Sequence, residues 1–226
     1  MNKINKSIIL LATAVSFYTP ISFANSEKFY VKANAGLFKL NNVKLKSKHD
    51  ETTAKFQSTR ENRFFGVGVG YNLTDKFRAD LMLDYFMNVK NNSWLLDTQG
   101  WMTTSKFNGD ISTLTINGYF DFLQLDNIKL FAGAGLGTSQ IKGTFKAKIV
   151  VHGSDPRRDT RRAKTSNNFT YALHLGASAK VADNLHTDLT YSWRDFGKIK
   201  TKDRCGHPFG LAHKGHHLAL GIRYDI

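Results

Sequence analysis

The chain has 226 residues, and its 32 Lys plus Arg against 18 Asp plus Glu give a formal net charge of +14. That length suits one domain with a full core. Eighteen Gly, 17 Phe and 8 Tyr beside only three Pro favour β-structure. Cys205 is the only cysteine, which excludes an intramolecular disulfide.

Residues 1–24 read as a signal peptide. Lys3 and Lys6 form a positive start, residues 8–15 a short apolar core, and Ser22-Phe23-Ala24 a small-x-small cleavage site before Asn25. The mature domain is then 25–226. Beyond residue 24 no apolar run approaches the roughly 20 residues that a spanning helix needs.

Eight stretches alternate with period two. Residues 28–40 set Phe29, Val31, Ala33, Ala35 and Leu37 against Tyr30, Lys32, Asn34, Gly36 and Phe38. In 63–73, Phe65, Val67, Val69 and Tyr71 oppose Gly66, Gly68, Gly70 and Asn72. In 77–90, Leu81, Leu83, Tyr85, Met87 and Val89 are expected outside, with Arg78, Asp80, Met82, Asp84, Phe86 and Asn88 inside. Further stretches are 111–122, 128–140, 169–181, 185–195 and 216–226. Each is about ten residues, enough to cross an outer membrane when tilted. Three short turns, near 74–76, 123–127 and 182–184, alternate with four longer loops of roughly 18 to 28 residues, an arrangement that places the long loops outside the cell.

The expected fold is therefore all-β: a closed eight-stranded antiparallel transmembrane barrel in the outer membrane, with short periplasmic turns and long extracellular loops. Lipid offers no hydrogen-bond partners, so the sheet must close. A barrel of this size has room only for its own side chains. Arg78, Asp80, Asp84, Asp188, Arg194 and Arg223 are expected to pair inside as a structural ion network.

Removing Lys3 and Lys6 with the leader leaves +12, and the four long loops hold all of it: +2 in 40–62, zero in 91–109, +6 in 141–168 and +4 in 197–214. Lys142, Lys146, Lys148, Arg157, Arg158, Arg161, Arg162 and Lys164 in the third loop, with Lys198, Lys200, Lys202 and Arg204 in the fourth, are the candidate partner-binding residues. Guanidinium groups bind phosphate, sulfate and carboxylate bidentately. The expected partner is a host surface protein or anionic glycan, with outer-membrane lipid including lipopolysaccharide as a second anionic neighbour. An exported chain is not expected to meet nucleic acid.

The segments FFGVGVGYNLTDKFRADLMLDY at 64–85, TINGYFDF at 115–122, LFAGAGLG at 130–137 and the ending HLALGIRYDI resemble small outer-membrane barrels of the OmpA and OmpX type. Among these the chain is most similar to the rickettsial surface adhesins, and the likeness covers residues 28–226 apart from the loops. The resemblance implies an outer-membrane protein that helps the bacterium attach to host cells by binding host proteins, and the chain is expected to be a monomer. Such barrels usually end in Phe. This one ends in Ile226, with Tyr224 keeping the aromatic-x-hydrophobic pattern.

Other groupings carry less. Cys205, His207, His213, His216 and His217 lie close in sequence but match no standard metal-site spacing, so no metal or cofactor is expected. His174, His186, Asp188 and Ser192 supply the residue types of a hydrolase, yet alternation points most of them into the barrel. The chain is thus expected not to be an enzyme. A structural barrel without a dedicated ligand and a lipid-modifying enzyme are the alternatives.

Overall fold

A computed structural model describes residues 28–41, 43–46, 53–57, 62–96, 102–150, 157–162, 165–202 and 208–226. The signal peptide and its cleavage site, Lys164, Arg204, Cys205 and His207 lie outside the described residues. The strands are β1 (Phe29–Leu40), β2 (Val43–Lys46), β3 (Thr53–Gln57), β4 (Asn62–Asn72), β5 (Phe77–Leu96), β6 (Met102–Leu125), β7 (Ile128–Val150), β8 (Arg157–Arg162), β9 (Ser166–Ala182), β10 (Leu185–Lys202) and β11 (Pro208–Asp225).

Eight of these form a closed antiparallel ring, β1-β4-β5-β6-β7-β9-β10-β11, in which β11 returns to β1 from Tyr30↔Asp225 to Leu40↔Gly215. The other three lie off the ring. β2 and β3 form a hairpin attached to the upper part of β5, and β8 pairs with the upper part of β7.

The connections at the periplasmic end are tight. Thr74 Oγ1 accepts from the Phe77 amide at 3.0 Å, and Asp126 takes a positive φ of 43° in a two-residue turn. The opposite end is uneven: β6 has 24 residues and β7 has 23, while β1 has 12. The wall therefore projects furthest along β5–β7.

Outward side chains form an apolar belt. Val67, Ile116, Leu136, Leu173, Leu189 and Leu220 are all more than half exposed. A row of aliphatic side chains around a closed sheet has no stable place in water. In lipid it is the expected surface. Phe65, Tyr85, Phe169, Tyr171, Tyr191 and Trp193 rim the belt at the outer end, with Tyr171 and Trp193 in contact at 5.6 Å between ring centroids. No helix of the described residues is long and apolar enough to cross a membrane.

The interior has two layers. Towards the periplasm lie ionic and polar groups. Towards the outer end Phe38, Leu40, Phe64, Phe86, Val89, Phe107, Ile111, Ile141 and Phe196 pack as an apolar core around the buried ring of His217. Close packing explains the inward glycines of β4: a Cβ on Gly70 would meet the Tyr30 ring, and one on Gly66 would meet Asp84 and Asn34.

Two sequence expectations need correction. Val89 is buried and Asn88 exposed, the reverse of strict alternation. The register between β5 and β6 shifts between Phe86 and Val89, where Asn88 adopts a φ of 55° and its amide donates to Asp110 Oδ1 at 3.0 Å. Asn tolerates this left-handed conformation better than most residues, and the extra residue flips every later side chain. The second correction concerns the loops. Residues 91–96, 102–110, 141–150, 157–162, 196–202 and 208–215 continue or join the sheet, so the basic segments are largely strand. Along β7 the outward positions become Thr138, Lys142, Thr144 and Lys146 instead of Leu, so the alternation continues without the hydropathic contrast that reveals it.

Candidate binding surface and barrel interior

The third basic segment is an arm built on β7. Lys142, Lys146 and Lys148 occupy alternate positions of that strand and are exposed. β8 pairs with it in the register Phe145↔Arg161, Lys148↔Arg158, Thr144↔Arg162 and Ile149↔Arg157. All four arginines thus sit on a strand outside the closed ring, at the outer end. Lys198, Lys200 and Lys202 follow on upper β10, paired with Ala212, Gly210 and Pro208 of β11. The candidate cations therefore fall into two projections, β7–β8 and β10–β11, not one cluster.

Sequence reading missed two exposed lysines that join the first projection. Lys106 of β6 lies across from Lys146, and Lys90 of β5 follows the Asn88 bulge. Lys106 lies in the 91–109 segment, whose zero net charge conceals it, and Lys90 ends the 77–90 stretch that reads as membrane-spanning. On the β10–β11 side of the rim Lys214 Nζ lies 2.9 Å from Asp195 Oδ2 and 5.7 Å from the Trp193 ring centroid. Asp195 also accepts from the Gly197 amide at 2.8 Å, and Gly197 has a φ of +82° that favours glycine. Partial burial raises the Asp195 pKa, but the hydrogen bonds from Lys214 and Gly197 outweigh it, so this carboxyl, above the membrane-spanning stretch, is held below the usual range.

Inside the barrel all six expected network residues are buried. They do not join one chain of ion pairs. Arg78 binds Asp121 at 2.9 Å and lies 4.4 Å from the Phe131 ring centroid. Arg194 donates to Asp84 Oδ2 at 2.7 Å and to Thr113 at 2.8 Å. Asp188 pairs with Lys32 at 3.2 Å, Asp80 accepts from Asn117 at 2.7 Å, and Arg223 donates to Ser178 at 3.3 Å while lying 5.3 Å from the Tyr30 ring centroid. Lys32, Asn117 and Asp121 are thus partners that the expected set lacked. Below this layer a polar vestibule of about 700 Å³ opens at the periplasmic end between Lys129, Lys180, His186 and Asp225.

Of the hydrolase-type residues, His174 Nδ1 lies 2.7 Å from Ser192 Oγ and its Nε2 3.4 Å from Asn117 Oδ1. Asp188 is held by Lys32, and His186 is paired with Asp225 at 3.0 Å. The serine and histidine do meet, but both are buried in the barrel interior. Among the described residues no three of His, Cys, Asp and Glu gather as a metal site.

The family model described as outer membrane protein beta-barrel domain matches residues 7–224. The chain belongs to this family. It is an outer-membrane protein, as the lipid-type belt on the closed sheet requires. Its relatives include a Rickettsia conorii protein 34% identical over 216 residues, covering 91% of this chain and 85% of that protein. A Rickettsia felis protein is 32% identical over 239 residues, covering 98% of this chain and 100% of that one. Both carry the name "putative adhesin". The chain thus resembles rickettsial proteins of that name across its length.

Among solved structures, Neisserial surface protein A matches with a TM-score of 0.52 at 18% identity, covering 88% of this chain and 97% of that one. OprG of Pseudomonas aeruginosa matches with 0.55 at 11%, covering 89% and 97%, and the Escherichia coli outer membrane protease OmpT with 0.51 at 8%, covering 89% and 98%. At these identities the likeness shows the fold alone. A protease among them means that the fold does not decide between catalysis and binding.

Proposed function

We propose that this barrel is a surface adhesin whose basic outer end binds host-cell proteins or other anionic host surface components, and that it is not an enzyme. The observation that carries this reading is the placement of Arg157, Arg158, Arg161 and Arg162 on a strand outside the barrel ring, paired to the lysine-bearing arm of β7. The names of the rickettsial relatives support it. Arginine suits carboxylate, sulfate and phosphate, and a local excess of cations speeds encounter with an acidic surface. The interior contributes stability: its charges are ion-paired or hydrogen-bonded and its outer half is filled with rings. The closed ring leaves no barrel edge to recruit a second copy by strand pairing, which supports action as a monomer.

The test is binding of the refolded chain to cultured host cells. Reversing the four β8 arginines to Glu should reduce binding at least tenfold, and raising salt should weaken the wild type. Unchanged binding after reversal would remove the electrostatic basis of the reading. If deleting the outer projections leaves attachment intact but weakens the membrane barrier, the protein is a structural barrel instead.

A further inference from the structure

We infer that the outward face of β5–β7 just above the apolar belt docks the phosphate groups of the bacterium's own outer-leaflet glycolipid. This rests on the membrane location and not on the adhesin reading. The residues are Lys90, Lys106, Lys142 and Lys146, all exposed and on adjacent strands. They pair in register as Lys106↔Lys146, with Lys90↔Asn108↔Thr144 and Asp110↔Lys142 in the neighbouring rows.

Direction matters here. On β7 the outward positions run Ile128, Leu130, Ala132, Ala134 and Leu136, then Thr138, Gln140, Lys142, Thr144 and Lys146. On β6 the same face runs from Phe122 back to Leu114 and on to Lys106. These ammonium groups therefore extend sideways from the wall, on the face that lower down meets lipid tails. They do not point up the barrel axis towards an arriving cell.

Height fits as well. Lys142 is six residues beyond Leu136 and Lys146 ten, about 20 and 33 Å along the strand and about 15 and 25 Å higher once strand tilt is allowed for. Lysine stems can bend some of that distance down. A phosphorylated glycolipid presents its anionic groups just outside the hydrocarbon, and clusters of four or more basic residues beside a membrane are held by anionic lipid.

Among the described residues no ion pair holds any of these four lysines, and Asp110, which faces Lys142 across the strands, accepts the Asn88 amide. On the opposite side of the rim Lys214 is held by Asp195. The four lysines thus form a group on one side of the barrel, beside the longest strands.

The test compares the full chain refolded in vesicles of phosphatidylcholine with and without short-chain lipopolysaccharide. After extraction in mild detergent, native mass spectrometry counts glycolipid retained per barrel. The wild type should retain it, and about 0.5 M salt should strip most of it. The variant K90E/K106E/K142E/K146E should retain at least tenfold less, and the Lys→Gln version should show an intermediate loss, while K76E at the periplasmic end should match the wild type. Heat-shifted electrophoresis confirms that each variant is folded. Dephosphorylated glycolipid should be retained as poorly as by the charge-reversed variant. Equal retention by that variant, or equal retention of the dephosphorylated lipid, would overturn the inference. So would loss of host-cell binding without loss of lipid, which would assign the lysines to an external partner. Reversal of the β8 arginines should leave lipid retention unchanged, which separates this claim from the adhesin reading.

Discussion

Replacing Arg194 by Ala should destabilise the barrel by about 3–5 kcal/mol. Arg194 crosses the interior to donate to Asp84 Oδ2 at 2.7 Å and to Thr113 at 2.8 Å, and its guanidinium lies 5.5 Å from the Phe86 ring centroid. Both charged side chains are almost wholly buried, at 6% and 2% exposure. Truncating Arg194 strands the Asp84 carboxylate between the aromatic core and the remaining ionic layer, with the Thr113 hydroxyl left as its hydrogen-bond donor. The magnitude is mainly that stranded charge, not the net worth of the pair. The double variant Asp84→Leu with Arg194→Met should therefore recover most of the loss, because apolar groups of similar size replace both ions. Guanidinium unfolding of refolded protein in vesicles, followed by Trp fluorescence, reads the difference. A single variant within about 0.5 kcal/mol of wild type, the spread of an ordinary surface substitution, would refute the argument that this pair organises the interior.

Three further outcomes are expected. Phe86→Ala opens a cavity among Phe38, Phe64, Phe196 and His217 and should cost about 3–5 kcal/mol in the same assay, whereas a loss below about 1 kcal/mol would mean that the rings do not form a packed core. Asp195 is more acidic in the fold than in the unfolded chain, so its contribution is fully present above its unfolded pKa of about 3.9 and is lost as pH falls through the lower folded value. Asp195→Asn should thus lower stability at neutral pH and flatten the acid limb of the pH profile. An unchanged acid limb would contradict the assignment. Finally, intact mass of protein exported in a bacterial host should correspond to a chain starting at Asn25, and a retained N-terminus would contradict the leader.

The barrel was legible because lipid imposes an apolar outward face and the polypeptide's period of two does the rest. Val67, Val69, Leu81, Ile116 and Leu136 announce it at every second position. Two things escaped for physical reasons. The Asn88 bulge inverts parity without any change in composition, so Val89 was read on the wrong face. Above the bilayer the outward positions no longer need to be apolar, and Lys142, Thr144, Lys146 and Lys148 carry a strand that hydropathy does not distinguish from a loop. The interior was partly legible. Arg78, Asp84 and Arg194 were expected inside from alternation alone. Their individual partners depend on which strands meet across the lumen, and Arg194 with Asp84 joins residues 110 apart in the chain. The aromatic layer was hidden because Phe38 and Phe86 share a face with charged residues, where a single ring reads as an exception instead of part of a core.

The central claim is that the basic outer end captures an anionic host component. Its most direct measurement is host-cell binding by refolded barrels that differ only in Arg157, Arg158, Arg161 and Arg162. The account predicts that the arginine-to-Glu variant, folded and inserted as shown by its heat-shifted band, binds at least tenfold less than wild type. Binding equal to wild type would contradict it.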